Sequence, residues 1–146
     1  MMPGPHAAVS LAVGLLGWRR SRALVAIPLS LATGLLIDLD HAADYAWYTW
    51  RQEHRLILPL HGYEFALLLW LLVRRCLGSE LAAVSTISYL LHLLSDEIGN
   101  QTKPGTYVLT WRLLNGFRLE CMSRDPAAGI RGRQEDFDKL GRFFAR

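Results

Sequence analysis

Four apolar segments, separated by two short polar turns and one long loop, constrain the fold of this 146-residue chain more than any other feature. Arginines follow the first and the third segment, and Gly78 follows the arginines of the second turn. Helices joined by short turns pack as antiparallel neighbours, so the pattern predicts an all-α fold, an up-down bundle of two hairpins. The four segments span residues 7–18, 23–37, 63–73 and 81–94.

The apolar segments have no polar face, as in the third segment, where eight of nine residues from Phe65 to Val73 are leucine, valine or aromatic. Each is shorter than the roughly 20 residues that span about 30 Å of hydrocarbon. Arginines at the segment ends and aromatic residues around Trp47 and Trp50 are nevertheless typical of a membrane interface. We therefore expect four short transmembrane helices; a soluble bundle buried in a larger assembly is the alternative.

The charge distribution divides the chain in two. The formal charge of +3 combines a balance of −1 in residues 1–100 with a balance of +4 in residues 101–146. We predict a membrane-embedded helical bundle in 1–100 and a basic, partly helical C-terminal tail in 101–146. The tail is expected to contain a turn at 101–105, a short extended stretch around 106–110, an amphipathic helix within 107–122, a polar linker at 124–132 and a surface helix at 134–144. Beside an apolar bundle, such a tail favours membrane lipid over nucleic acid as its partner.

Histidines and acidic residues collect at one end of the predicted bundle. Up-and-down threading brings together the start of the first segment, the end of the second, the start of the third and the end of the fourth. The spacings His61/Glu64 and His92/Asp96 place each pair on one helical face. The predicted metal ligands are His6, Asp40, His41, His61, His92 and Asp96.

Imidazoles mixed with carboxylates suit zinc, iron or manganese, and we expect zinc, as one or two ions. Asp38 and Glu64 are predicted to act as general bases or to orient the ligands. His54 and Arg55, in the long loop, are candidate substrate contacts, because a guanidinium group suits a phosphate. With only Cys76 and Cys121 available, neither a disulfide framework nor a thiolate zinc site is expected.

The order of these motifs resembles the YdjM-like family of bacterial membrane-bound metal-dependent hydrolases. The resemblance lies in a histidine near the N-terminus, an Asp-x-Asp-His element, a His-Arg followed by a second histidine, and a His-x-x-x-Asp that closes a later helix. In this chain the motifs are His6, Asp38 to His41, His54-Arg55 with His61, and His92 to Asp96. The gap from His54 to His61 is wider than in that family, and Glu64 stands two positions beyond its usual serine. The family is itself distantly similar to zinc-dependent phospholipase C and P1-type nucleases, so the resemblance implies phosphoester hydrolysis.

Together these features predict a multi-pass protein of the bacterial inner membrane that hydrolyses a phosphoester in or near the bilayer. Arginines at the two turns place those turns in the cytoplasm and the metal site on the other side. Two alternatives remain open. The same cluster could bind metal structurally without catalysis, or the chain could be an adaptor whose tail binds lipid or a partner.

Overall fold

A computed structural model describes residues 3–100 and 102–144 of the chain. Eight α-helices and one 3₁₀ helix account for most of these residues. The helices are α1 (Pro3–Ser21), α2 (Ala26–Leu35), the 3₁₀ helix Leu36–Asp40, α3 (His41–Arg51), α4 (Phe65–Leu77), α5 (Ser79–Gly99), α6 (Leu109–Leu114), α7 (Leu119–Met122) and α8 (Pro126–Phe144). In the described part of the chain there is no β-strand, only the isolated bridges Arg55–Arg118 and Thr102–Ser123. The predicted all-α class is therefore confirmed.

The four apolar segments form α1, α2, α4 and α5, arranged as two hairpins that pack through α2 and α5. In the first turn Arg22 adopts a left-handed conformation (φ 58°) and its N–H bonds to the carbonyl of Trp18. In the second turn Gly78 takes φ 92°, which only glycine adopts without strain. Its N–H donates to the carbonyl of Arg74 and so caps the end of α4. Both turns reverse the chain and leave the opposite ends of the hairpins side by side.

A seam of glycine and serine joins α1, α2 and α5 immediately beneath that end. Ser30 donates to the carbonyl of Ser10 at 2.7 Å, and Ser88 donates to the carbonyl of Ser30 at 2.8 Å. A Cβ atom on Gly34 would lie 2.0 Å from the Ser10 hydroxyl oxygen and 2.6 Å from that of Ser88. The absence of a side chain at Gly34 therefore sets the distance between these helices.

The outer surface of the bundle is apolar over much of α4. Leu67, Leu68, Leu71 and Leu72 all lie at least half exposed, at 64, 61, 50 and 60%. Among residues 3–100 and 102–144, however, no helix combines the length and the apolar character needed to cross a bilayer.

The remaining chain is more ordered than expected. The interval 38–62 contains the end of the 3₁₀ helix and all of α3, although it was predicted to be a loop. The prediction of a single amphipathic helix within 107–122 was also wrong. Gly116 and Phe117 both take positive φ and separate α6 from α7. The polar stretch 124–132 is mostly helical. Asp125 caps the N–H of Ala128 at 3.0 Å and starts α8 eight residues earlier than predicted. Gln101, in the predicted turn, lies outside the described residues.

Candidate metal centre

The hairpin topology delivers seven polar residues to one end of the bundle. The 3₁₀ helix that follows α2 carries Asp38 and Asp40 and leads directly into His41. The last two turns of α5 carry His92 and Asp96, four residues apart, so both project from the same face. His61 comes from the loop before α4, and His6 from the first turns of α1.

Four side chains meet at the centre of this end. His61, His92 and Asp96 are buried and Asp38 is partly exposed, and one ligand atom from each lies within 4.8 Å of all the others. The two Nε2 atoms of His61 and His92 are 3.1 Å apart. Asp38 Oδ1 lies 3.5 Å from the first and 3.3 Å from the second, while Asp96 Oδ2 lies 3.4 and 3.6 Å from them.

The other nitrogen of each imidazole determines where its proton sits. Nδ1 of His92 is 2.8 Å from the carbonyl oxygen of Gly34, which can only accept, so this nitrogen carries hydrogen. Nδ1 of His61 is 2.9 and 3.0 Å from the two carboxylate oxygens of Asp40, and it therefore also donates. Neutral imidazoles in these tautomers point two bare lone pairs at each other and at two carboxylate oxygens. Such a cluster requires a cation.

The spacing of the four atoms tests whether that cation can be a metal ion. Ligands at 2.0–2.1 Å around a tetrahedral zinc ion are separated by about 3.3–3.4 Å. The five distances given above range from 3.1 to 3.6 Å. Two nitrogens and two oxygens also suit zinc better than calcium or magnesium, which take oxygen ligands. The cluster can therefore hold a metal ion with little rearrangement.

A second ring of contacts fixes the orientation of these four groups. Behind His61 stands Asp40, which also accepts the N–H of Leu60 at 2.7 Å. Behind Asp96 stands His6, whose Nε2 is 3.1 Å from Asp96 Oδ1, and whose ring stacks on His92 with centroids 4.0 Å apart. Partners of this kind hold metal ligands in one tautomer and one rotamer. His6 and Asp40, both predicted as ligands, occupy these supporting positions in the structure.

The carboxylates also set the electrostatics of His61 and Asp38. Burial by itself would lower the pKa of His61, but its bonds to Asp38, Asp40 and Asp96 outweigh burial and raise the pKa to about 10. Burial would likewise raise the pKa of Asp38, but its contacts with His61 and His92 hold that pKa well below its usual range. Without a metal ion, a proton on His61 supplies the missing positive charge; a metal ion must displace it.

The cluster is reached from one side only within the described structure. Asp38 is 31% exposed and His41 is 51% exposed, with His41 Nε2 3.6 Å from Asp38 Oδ1, whereas His61, His92 and Asp96 are almost fully buried. His41 also forms a second group with Asp40 and His61 whose ligand atoms lie close together. Because Nδ1 of His61 is engaged by Asp40, the first group is the better placed of the two.

Three other predicted site residues lie elsewhere. Glu64 accepts from the N–H groups of Leu109 and Thr110 at 2.9 and 3.0 Å, so it caps α6 and does not meet the imidazoles. The helix α4 begins at Phe65, so His61 and Glu64 do not share the helical face that their spacing suggested. His54 packs against Tyr48, with ring centroids 5.2 Å apart.

Arg55 is also committed to local contacts. Its Nε lies 2.7 Å from Glu53, and one terminal nitrogen donates to the carbonyl of Gly116 at 3.3 Å. Neither Arg55 nor His54 takes part in the four-residue cluster. In this structure the contacts of His54 and Arg55 are local ones, and their role toward a substrate stays a prediction.

Arg112 is a supporting residue that the sequence analysis did not single out. It is fully buried and donates to the carbonyl of Leu58 at 2.7 Å and to the carbonyl of His61. It thereby ties α6 of the tail beneath the loop that carries His61. The signal was a single arginine within the apolar run of α6, which was interpreted as the polar face of an amphipathic helix.

Comparison of the chain with models of protein families, with curated proteins and with solved structures finds no match.

Proposed function

We propose that this protein is a metal-dependent hydrolase whose substrate is a phosphoester, as its resemblance to the YdjM-like hydrolases implies. The observation that carries the proposal is the buried cluster of two bare Nε2 atoms and two carboxylate oxygens at tetrahedral spacing. His61, His92, Asp38 and Asp96 would hold the ion, and we favour zinc. A divalent ion supplies Lewis acidity: it makes water nucleophilic near neutral pH and polarises a phosphoryl oxygen.

The protein's own groups have separate roles in this proposal. Asp40 and His6 would keep His61 and Asp96 in the orientation that binds the ion. Asp38, as the partly exposed member of the four, borders the open side where substrate arrives. His41 lies next to Asp38, is exposed, and makes no strong hydrogen bond within the described structure. It would therefore accept the proton of the attacking water.

The hydrolase test uses purified protein with zinc and after chelation, on a panel of phosphomonoesters and phosphodiesters. We expect turnover that needs metal. His92→Ala should lose metal and activity together, and His41→Ala should keep the metal and lose about 10²–10⁴-fold in rate, the usual contribution of a general base. Stoichiometric zinc with no turnover of any substrate would remove the enzymatic proposal.

A structural metal ion is the second candidate, favoured by the completeness of the donor set. Four protein ligands close a tetrahedron, as in structural zinc sites, whereas catalytic sites keep a position open. In that case chelation would lower the melting temperature and no substrate would be turned over. The exposed position of Asp38 favours catalysis, because that ligand alone borders solvent and can give way to substrate.

We also propose that the protein is membrane-bound, with bacterial inner membrane as the expected location. The support is the exposed leucine strip of α4, since soluble monomers rarely expose a contiguous apolar patch of this kind. Flotation of the protein with liposomes tests this. Leu67→Ser with Leu71→Ser should reduce flotation, and protein that stays at the bottom of the gradient before any substitution would refute it.

The third class, a lipid- or partner-binding adaptor, predicts instead that deleting the tail abolishes binding.

A further inference from the structure

A cavity of about 430 Å³ opens beside the metal centre, between α3, the chain at 102–107 and α8. Two of its lining residues adjoin the cluster directly. His41 lies 3.6 Å from Asp38, and the ring of Tyr107 is centred 5.9 Å from the ring of His61. Cavities of roughly 300–1,000 Å³ are typical of small-molecule sites. This cavity is therefore large enough for a ligand that also reaches the cluster.

The walls of the cavity are mainly apolar, formed by Leu56, Leu58, Leu119, Met122, Phe137 and Leu140. Polar and charged residues also line the cavity, but most of its surface is apolar. One of them, Asp136, is 73% exposed and pairs with Lys139 at 3.2 Å, so its charge faces water and a neighbouring cation. Such a lining favours an apolar chain or ring over a sugar or a nucleotide.

Arg133 supplies the positive charge of the cavity. One terminal nitrogen, Nη2, contacts the buried carboxylate of Asp44, while Nη1 is buried and has no partner among the described residues. His41 and Asp44 are three residues apart on α3 and both line the cavity, so Arg133 contacts the same stretch of α3 that carries His41. A buried N–H group without an acceptor is costly, and an anionic ligand atom would satisfy it.

We propose that this cavity binds an anionic amphiphile, with its head group near His41 and Arg133 and its apolar chain along the six-residue wall. The binding itself does not require catalysis. If the protein is the proposed hydrolase, on which this step rests, its substrates are phosphoesters of an apolar alcohol, because the head group then lies beside the metal centre.

Gly132 allows the cavity to be filled without disturbing the fold. It lines the cavity within α8, and a Cβ atom added there would meet nothing within 4 Å. Because Gly132 lines the cavity, we expect Gly132→Leu to place its branched side chain there. Gly132→Ala is the matched control, since alanine and leucine are both strong helix formers and alanine adds no comparable bulk. Arg133→Lys keeps a positive charge for Asp44 but removes the unpartnered guanidinium nitrogen.

Titration calorimetry with octyl phosphate, octyltrimethylammonium and inorganic phosphate, all below micelle-forming concentrations, tests the proposal. Octyl phosphate should bind the unsubstituted protein and Gly132→Ala with equal affinity. Octyltrimethylammonium and inorganic phosphate should bind both proteins far more weakly. Displacing two methylenes by Gly132→Leu should weaken binding by about fifteenfold, since each buried methylene is worth about fourfold. Arg133→Lys should also lower the affinity for octyl phosphate.

Equal affinity of Gly132→Leu and Gly132→Ala, or equal binding of the cationic amphiphile, would overturn the inference. Zinc content measured on the same samples separates the two proposals. If zinc binds but the Gly132 pair does not differ, the cavity proposal alone fails. If zinc does not bind but octyl phosphate distinguishes the pair, the hydrolase proposal fails and the binding site stands.

Discussion

Replacing Asp40 by asparagine isolates the contribution of a carboxylate that supports the metal site without being one of the four central groups. Asp40 Oδ2 accepts two N–H groups, from His61 Nδ1 at 3.0 Å and from Leu60 at 2.7 Å, and Oδ1 lies 2.9 Å from the same imidazole nitrogen. An asparagine can keep its single oxygen at the Oδ2 position, but its NH₂ group then lies 2.9 Å from the Nδ1–H of His61, so two donors face each other. The imidazole can relieve that conflict by moving its proton to Nε2, and in that tautomer it cannot bind metal.

The expected loss follows from this change of tautomer. Groups that orient metal ligands typically contribute 10–100-fold to metal affinity, which is about 1.4–2.7 kcal/mol. Competition with a chromogenic zinc chelator measures the dissociation constant of Asp40→Asn. Asp38→Asn, which removes a central oxygen itself, should cause a larger loss. Unchanged zinc affinity in Asp40→Asn would refute the tautomer argument, and a larger loss than in Asp38→Asn would reverse the roles of the two aspartates.

Four further predictions concern the same end of the bundle. Zinc binding near pH 7.5 should release about one proton, because His61 is protonated in the metal-free protein below its pKa of about 10. The affinity for zinc should therefore rise about tenfold per pH unit, and a zinc affinity that does not change with pH would contradict this. Because that pKa is raised above the ordinary 6.5, the protonated His61 stabilises the metal-free fold fully below pH 6.5, and urea titrations should show this stability disappearing toward pH 10. Gly34→Ala should destabilise the fold by about 1–3 kcal/mol through overpacking against Ser10, measured by urea denaturation, whereas Gly4→Ala, with open space around it, should have little effect. Glu64→Gln should cost about 1 kcal/mol of stability by weakening the α6 cap and leave the zinc affinity unchanged; lost zinc binding would return Glu64 to the site.

The sequence predicted the convergence of histidines and carboxylates because that convergence follows from topology alone. Two short turns leave no other place for the ends of the hairpins, and the four-residue spacing of His92 and Asp96 survives in any regular helix. Residue spacing therefore predicted which side chains share a face wherever both residues lie within one continuous helix.

The individual roles were less predictable because they depend on local geometry. The 3₁₀ helix Leu36–Asp40 turns by about 120° per residue where an α-helix turns by about 100°, so the directions of Asp38 and Asp40 could not be assigned from an α-helical pattern. Glu64 was placed on the face of His61 on the assumption that α4 starts before Phe65.

The contacts of the tail depend on long-range packing. Arg112 reaches the loop of His61 across 51 residues, and Arg133 reaches Asp44 across 89. No local pattern encodes such pairs. The tail therefore contributes to the surroundings of the metal centre in a way that composition and charge did not indicate.

X-ray absorption spectroscopy at the zinc edge, on protein loaded with one equivalent of zinc, shows which atoms surround the bound ion. We expect four nitrogen or oxygen neighbours at about 2.0–2.1 Å, two of them with the outer-shell scattering of imidazole, and no sulfur. The double substitution His61→Ala with His92→Ala should abolish this spectrum. A sulfur neighbour at about 2.3 Å, or zinc surrounded by six water-like oxygens, would show that the ion does not lie among His61, His92, Asp38 and Asp96.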